Sequence, residues 1–422
     1  MDGRKSVLKE VSDNTSFIRD SVTERYGEKH PEWAWVYELL APYQERAYKA
    51  KEKGEPLAWV NFGVISELFW AMDIVPVVID TVTGALAAAA GAIRYIDIAE
   101  EHIPDYVCAN NKVLMGAALA GDIPIPDMLV HPSHPCDSNL ATYPVMAEYF
   151  GFPYFCIDMP YFRNDRSGPY VAGELRRLVS FLEEKTQRKL DVDKLKQVME
   201  YSNQAHEYIL KISDLRQAVP CPYSSIEAIS EYGAVLGLAG TPQLVDYFKR
   251  RYELTKDRVA RKEGHLTKDE EKIRLVWIYG APAFDLSIFL WLEKQYGAVS
   301  VANMNNNFVM KPVEDISDTD KILRGLAEKV TYLPMTRECG GPWENYLDAT
   351  IDLCRRYKAD AAVFAGHVAC KSNWAVMKLV KDKIYDELGI PTLMLELDLF
   401  DPRITSSETI RAKFDDFLEL FF

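Results

Sequence analysis

Positive charge is in deficit in this 422-residue chain: 49 Lys and Arg stand against 63 Asp and Glu, a formal net charge of −14. General nucleic-acid binding needs a basic face, so that class is excluded, although a local basic pocket for an anionic ligand is not. Long hydrophobic runs are lacking too. The longest stretch of small apolar residues, Gly84–Ile93, is too short to span a bilayer, and the opening MDGRKSVLKEVSDN has no apolar stretch of the signal-peptide kind. The expectation is a cytoplasmic protein with neither membrane nor nucleic acid as partner. Cysteine is scarce and odd in number, seven in all, which argues against a disulfide framework and leaves thiols free to ligate. No GxGxxG, GxxxxGKS/T, GxSxG or HExxH motif is present, so dinucleotide, P-loop, serine-hydrolase and zinc-protease readings lack support.

What is there is alternation. Residues 1–56 read as a helical segment, with Trp33, Val36, Leu39 and Leu40 on one face. Short apolar runs then alternate with helical patterns. Leu57–Phe62, Val75–Ile79, Asp127–Val130 and Tyr154–Ile157 are expected strands; Ser66–Met72 and an Ala-rich Gly84–Glu100 are expected helices. Residues 166–270 read as helical and charged. Alternation resumes with strands expected at Arg274–Tyr279, Ala298–Ala302, Asp360–Ala365 and Pro391–Glu396, and a last helix at Glu408–Leu420. The fold class is therefore α/β: two parallel-sheet, Rossmann-like lobes, 57–165 and 271–422, with an intervening helical segment.

An internal echo links the lobes. Asp127–Asn139 and Asp360–Asn373 each run strand, loop containing His, then Cys-x-Ser-Asn opening a helix. Ligands of open α/β sheets bind at the carboxyl ends of strands, where helix N-termini favour negative charge. Cys136 and Cys370 fall in that position, and Cys108 precedes the helical run Asn111–Ala120. Thiolates at helix starts are lowered in pKa and ligate metals well, and an anionic iron–sulfur cluster would suit three such loops. His131, His134 and Cys136 offer a rival reading as zinc ligands. Cys156 and Cys354 read as core, Cys221 as a loop residue, and Cys339, in a Gly-rich loop, as a fourth ligand or a pocket wall. Asp80, at the end of the second strand, is a candidate for moving protons. Arg163, Arg166 and Lys371 are candidates for a basic entry.

Several pieces together resemble the 2-hydroxyacyl-CoA dehydratase and benzoyl-CoA reductase subunits. They are Lys51–Pro56, Glu67-Leu68 followed by Val75-Pro76, Val107-Cys108, Pro126-Asp127 leading to Cys136, Cys370-Lys371, and Asp398–Arg403. The resemblance implies one [4Fe–4S] cluster per subunit, held by Cys108, Cys136 and Cys370. It also implies an acyl-CoA substrate, a second homologous iron–sulfur subunit completing a heterodimer, and an ATP-dependent iron–sulfur activator protein that injects an electron in an oxygen-sensitive reaction. The thioester would be reduced to a ketyl radical, which loses its 2-hydroxyl or, in the aryl branch, is reduced further. Two departures bear on this. Val60–Gly63 stands where dehydratase catalytic subunits often have Ser or Thr, and His131–Cys136 stands where they often have a Cys-rich stretch. The alternatives are an electron-relay subunit of the same type of complex and a zinc-dependent hydrolase using His131, His134 and Cys136.

Overall fold

A computed structural model describes residues 6–422. Its framework is two four-stranded sheets, each wholly parallel. The first contains β1 (Leu57–Val60), β2 (Val75–Val78), β3 (Met128–Pro132) and β4 (Tyr154–Ile157), in the order β2-β1-β3-β4. The second contains β5 (Ile273–Trp277), β6 (Ala298–Asn303), β7 (Ala361–His367) and β8 (Thr392–Leu397), in the order β6-β5-β7-β8. The order is the same in both: the first strand of each sheet sits inside, and the chain reverses direction across it. That reversal opens a crevice at the carboxyl ends of the strands. The α/β expectation and the parallel pairing hold.

The echo seen in the sequence is structural. Asp127 and Asp360 each immediately precede the third strand of their sheet and clamp the start of the first. Asp127 Oδ2 accepts from the Leu57 amide at 2.8 Å and Asp360 Oδ2 accepts from the Arg274 amide at 2.7 Å. In return, the Asp127 amide donates to Leu57 O at 2.8 Å and the Asp360 amide to Arg274 O at 2.9 Å. This shared register places Phe62-Gly63 after β1 where Tyr279-Gly280 follows β5.

β1, β2 and β3 are fully buried, as strands covered on both faces must be. β4 departs from expectation: of the two edge strands, β2 and β4, it is the less covered, so only Ile157 is buried and Cys156 is partly exposed rather than core. The Ala-rich segment also differs. It forms two helices, Ile79–Ala88 and Ala92–Glu100, meeting at 116°, because Ala90 takes a positive φ of 57° and breaks the hydrogen-bond ladder. Among the described residues no single helix is long and apolar enough to cross a membrane.

Four long helices, Ser167–Thr186, Val192–Leu215, Ser225–Leu238 and Pro242–Arg261, connect the sheets. Three of them start on side-chain caps that satisfy free amides: Asp191, Ser224 in a capping box with Glu227, and Thr241 before Pro242. A buried tie joins them to both sheets. Lys329, from the helix Thr319–Thr331, pairs with Glu67 beside β2, and Ser202 of Val192–Leu215 lies 2.7 Å from each. One apolar core runs through the first sheet, the connecting helices and one face of the second sheet. The other face of the second sheet packs Trp277 and Phe289 against Phe414 of the last helix, Ser407–Leu418.

Candidate functional site

The carboxyl ends of both sheets open on one cavity of about 940 Å³. Cys108, Cys136, Cys339 and Cys370 all line it, together with Asp80. Cys108 is the N-cap of the helix Ala109–Leu119, Cys136 of Asp137–Phe150, and Cys370 of Lys371–Leu388. Cys339 ends the short helix Thr336–Cys339, just after Met335, whose φ of 70° is strained for a residue with a side chain. Counted along each sheet, Cys108 and Cys339 both precede the last helix before the third strand, and Cys136 and Cys370 both follow that strand. The four thiols are thus two topologically matched pairs.

Cys108 and Cys136 do not behave as helix starts alone predict. Burial pushes the Cys136 thiol up to about 12, helped by the charge of Cys370 and Asp80. Cys108 is raised by burial, by Cys136, and by Asp398. Cys339 is raised by burial and by Cys370. A helix dipole contributes well under the cost of ionising a buried thiol, so burial wins. A coordinated cation reverses that balance, because a ligating thiol is deprotonated outright. The donor set therefore fits a cationic iron–sulfur core that neutralises three clustered thiolates together.

Each thiol has its own neighbours. The Asn373 side-chain amide donates to Cys370 Sγ at 3.0 Å, while Cys339 Sγ donates to Asn373 Oδ1 at 3.3 Å. His367, the last residue of β7, brings Nε2 to 3.1 Å from Cys108 Sγ. Burial lowers the pKa of His367, with Asp398 opposing.

Asp80 does not end the strand; β2 stops at Val78 and Asp80 lies in the first turn of the next helix. Its carboxylate accepts from the Phe62 amide at 2.9 Å, Asn61 Nδ2 at 3.1 Å and Asn110 Nδ2 at 2.6 Å. Burial raises its pKa to about 6, against those three donors. Asn61 and Phe62, read in the sequence only as a departure from a Ser/Thr-rich pattern, are what orients this carboxylate.

The zinc reading is corrected. Among the described residues no three His, Cys, Asp or Glu side chains are placed to hold a single metal ion. His131 is buried in β3 with its Nδ1 donating to Pro132 O at 3.1 Å, and its ring lies 5.3 Å from that of Tyr143. Burial lowers its pKa to about 4. The basic entry is corrected in part. Arg163 donates to the carbonyls of Thr336 and Arg337 at 3.0 and 2.7 Å and covers the Tyr332 ring, and neither it nor the exposed Arg166 lines the cavity. Lys371 does, at 4.9 Å over the Tyr106 ring. Cys221 and Cys354 are buried away from the cavity.

Sequence reasoning missed Asn61, Asn110, Tyr279, His367 and Asn373 as site residues. The signal for two of them was the echo itself, which contained both the loop histidine and the Ser-Asn after cysteine.

Residues 62–421 match the family model of the 2-hydroxyglutaryl-CoA dehydratase D-component. The chain is similar to the alpha subunit of lactoyl-CoA dehydratase from Anaerotignum propionicum, 21% identical over 414 residues covering 90% of this chain and 93% of that protein. It is 22% identical over 404 residues to the (R)-phenyllactyl-CoA dehydratase alpha subunit of Clostridium sporogenes, covering 93% and 94%. It is also 22% identical over 415 residues to a benzoyl-CoA reductase subunit of Thauera aromatica, covering 91% and 93%.

Proposed function

The chain belongs to the 2-hydroxyglutaryl-CoA dehydratase D-component family, and from that premise we propose that it binds an acyl-CoA beside a [4Fe–4S] cluster held by Cys108, Cys136 and Cys370. The observation that carries this reading is the convergence of three helix-capping thiols, from both sheets, on the cavity that also holds Asp80. Such a cluster supplies single electrons at low potential, which would let a thioester pass through a ketyl radical toward loss of a 2-hydroxyl or toward aryl reduction.

The chain's own residues do the rest. Three donors hold the Asp80 carboxylate in one orientation, and a pKa of about 6 lets it carry a proton near neutrality. The Cys339 thiol donates to Asn373; with Cys339 outside the ligand set, the fourth iron position would lack a protein thiolate and would be open to the substrate oxygen. Residues of the helices Val7–Tyr26 and Ile79–Ala88, among them Leu8, Val11, Val82 and Ala85, give the cavity an apolar wall. Lys371 is the one Lys or Arg among the described lining residues, against Glu10, Asp80 and Asp137. A second carboxylate on the acyl chain would compete with the CoA phosphates for that single cation and face three carboxylates, which favours a neutral acyl group. The partners are a second homologous iron–sulfur subunit and an ATP-dependent iron–sulfur activator.

The test is iron and sulfide analysis of anaerobically purified protein, followed by EPR of the reduced cluster with neutral and dicarboxylic 2-hydroxyacyl-CoA thioesters. Neutral thioesters should change the spectrum and 2-hydroxyglutaryl-CoA should not. A cluster indifferent to every thioester makes this chain an electron relay, and protein without iron and sulfide removes the reading altogether.

A further inference from the structure

His367 makes the one histidine contact to a proposed cluster ligand among the described residues, and its hydrogen bonds fix where its proton is. The Leu399 backbone amide donates to Nδ1 at 3.2 Å, so Nδ1 presents its lone pair. Asp398 does not compete for a proton there. Its Oδ1 accepts from the Phe400 and Asp401 amides at 2.8 and 3.0 Å, and its Oδ2 stands 3.5 Å from Nδ1. In a neutral imidazole the proton then sits on Nε2, which points at Cys108 Sγ 3.1 Å away. The ring cannot easily turn. It is 2% exposed, packs edge-on at 6.1 Å from the Phe400 ring, and its carbonyl accepts from Trp374 Nε1 at 3.1 Å and from the Cys370 amide at 2.9 Å.

We infer that His367 is a positioning residue that donates an Nε2–H···S hydrogen bond from the second sheet to Cys108 on the first, and so raises the reduction potential of the cluster. The inference rests on the cluster reading above. A hydrogen bond to a ligating sulfur stabilises the more negative, reduced state, so losing the donor lowers the potential. Asn373 acts in the same sense on Cys370, and among the described residues no side chain hydrogen-bonds to Cys136 Sγ. The second sheet thereby supplies side-chain donors for one ligand of each sheet.

The experiment uses the full chain, purified without oxygen. Wild-type protein without iron and sulfide would fail the cluster reading and this inference with it. With a cluster present, hyperfine spectroscopy of the reduced protein carrying ¹⁵N-histidine should show coupling to one imidazole nitrogen; its absence overturns the inference while leaving the cluster reading intact. EPR-monitored titration should then find a lower midpoint potential in His367→Phe, with the coupling gone. His367→Gln, which retains an N–H donor, should lie between Phe and wild type. Equal potentials in all three also overturn the inference. If His367→Phe does not assemble a cluster, the wild-type coupling and the Gln variant decide.

Discussion

The two sheets share strand order, aspartate clamp and placement of cysteines, yet they present different chemistry to the cavity between them. The first contributes Asp80, Cys108 and Cys136; the second contributes Cys339, Cys370, His367, Asn373 and a run of amides, Asn303, Asn305 and Asn306, where the first has its carboxylate. A repeated scaffold thus holds an acid on one wall and sulfur-directed donors on the other. Matching topology fixes where a residue stands, and the local neighbours decide what it can do.

The largest expected effect asks whether the cysteine pairs are equivalent. Cys108→Ser, Cys136→Ser and Cys370→Ser should each lose most of the bound iron. Cys339→Ser should keep its iron, its resting EPR spectrum and the response to acyl-CoA. Iron loss in Cys339→Ser as deep as in the other three would make the lobes symmetric, with two ligands each and no open iron.

Asp80 is the next point of asymmetry. Its pKa is raised from 3.8 to about 6 in the folded protein. The stability it confers is full below the unfolded value and is lost as pH rises through the folded one. Across pH 4 to 6 this amounts to about 3 kcal/mol as an order of magnitude. In urea unfolding of the metal-free protein, the stability of wild type relative to Asp80→Asn should therefore fall as pH rises through this window. Parallel curves for the two proteins would place Asp80 in contact with water. In the loaded enzyme, the same variant should lose turnover while keeping its iron.

The clamps test the likeness rather than the difference. Asp127→Ala and Asp360→Ala each remove the acceptor of a strand amide. Both carboxylates are partly exposed, so the loss should be near the low end for such bonds, about 1 kcal/mol each in urea unfolding. A clearly unequal pair would mean that the two sheets differ in how much they depend on this register.

The smallest effects separate buried from edge cysteines. Cys354→Ala in the core should cost about 1 kcal/mol, and Cys156→Ala on the edge strand less than about 0.5 kcal/mol, with iron retained in both.

Much of this was legible in the residues. Alternation of apolar runs with helical patterns gave eight parallel strands, and Cys-x-Ser-Asn marked two helix starts, because side-chain period and helix initiation are local properties. The Asp127 and Asp360 echo was readable for the same reason. What the sequence alone could not decide depends on groups far apart in the chain. β2 and β4 are both edge strands, yet β2 is buried throughout while β4 leaves Cys156 partly exposed; the covering of an edge depends on what the rest of the fold packs over it, not on apolar content. Arg163 turns to the carbonyls of Thr336 and Arg337, more than 170 residues away, and so stays out of the cavity that Lys371 lines. Burial raises thiols that a helix start alone would lower, because desolvation depends on what the whole fold lays over a residue. Cys108 and His367 are 259 residues apart and meet only because two sheets of one topology turn their carboxyl ends toward a common cavity.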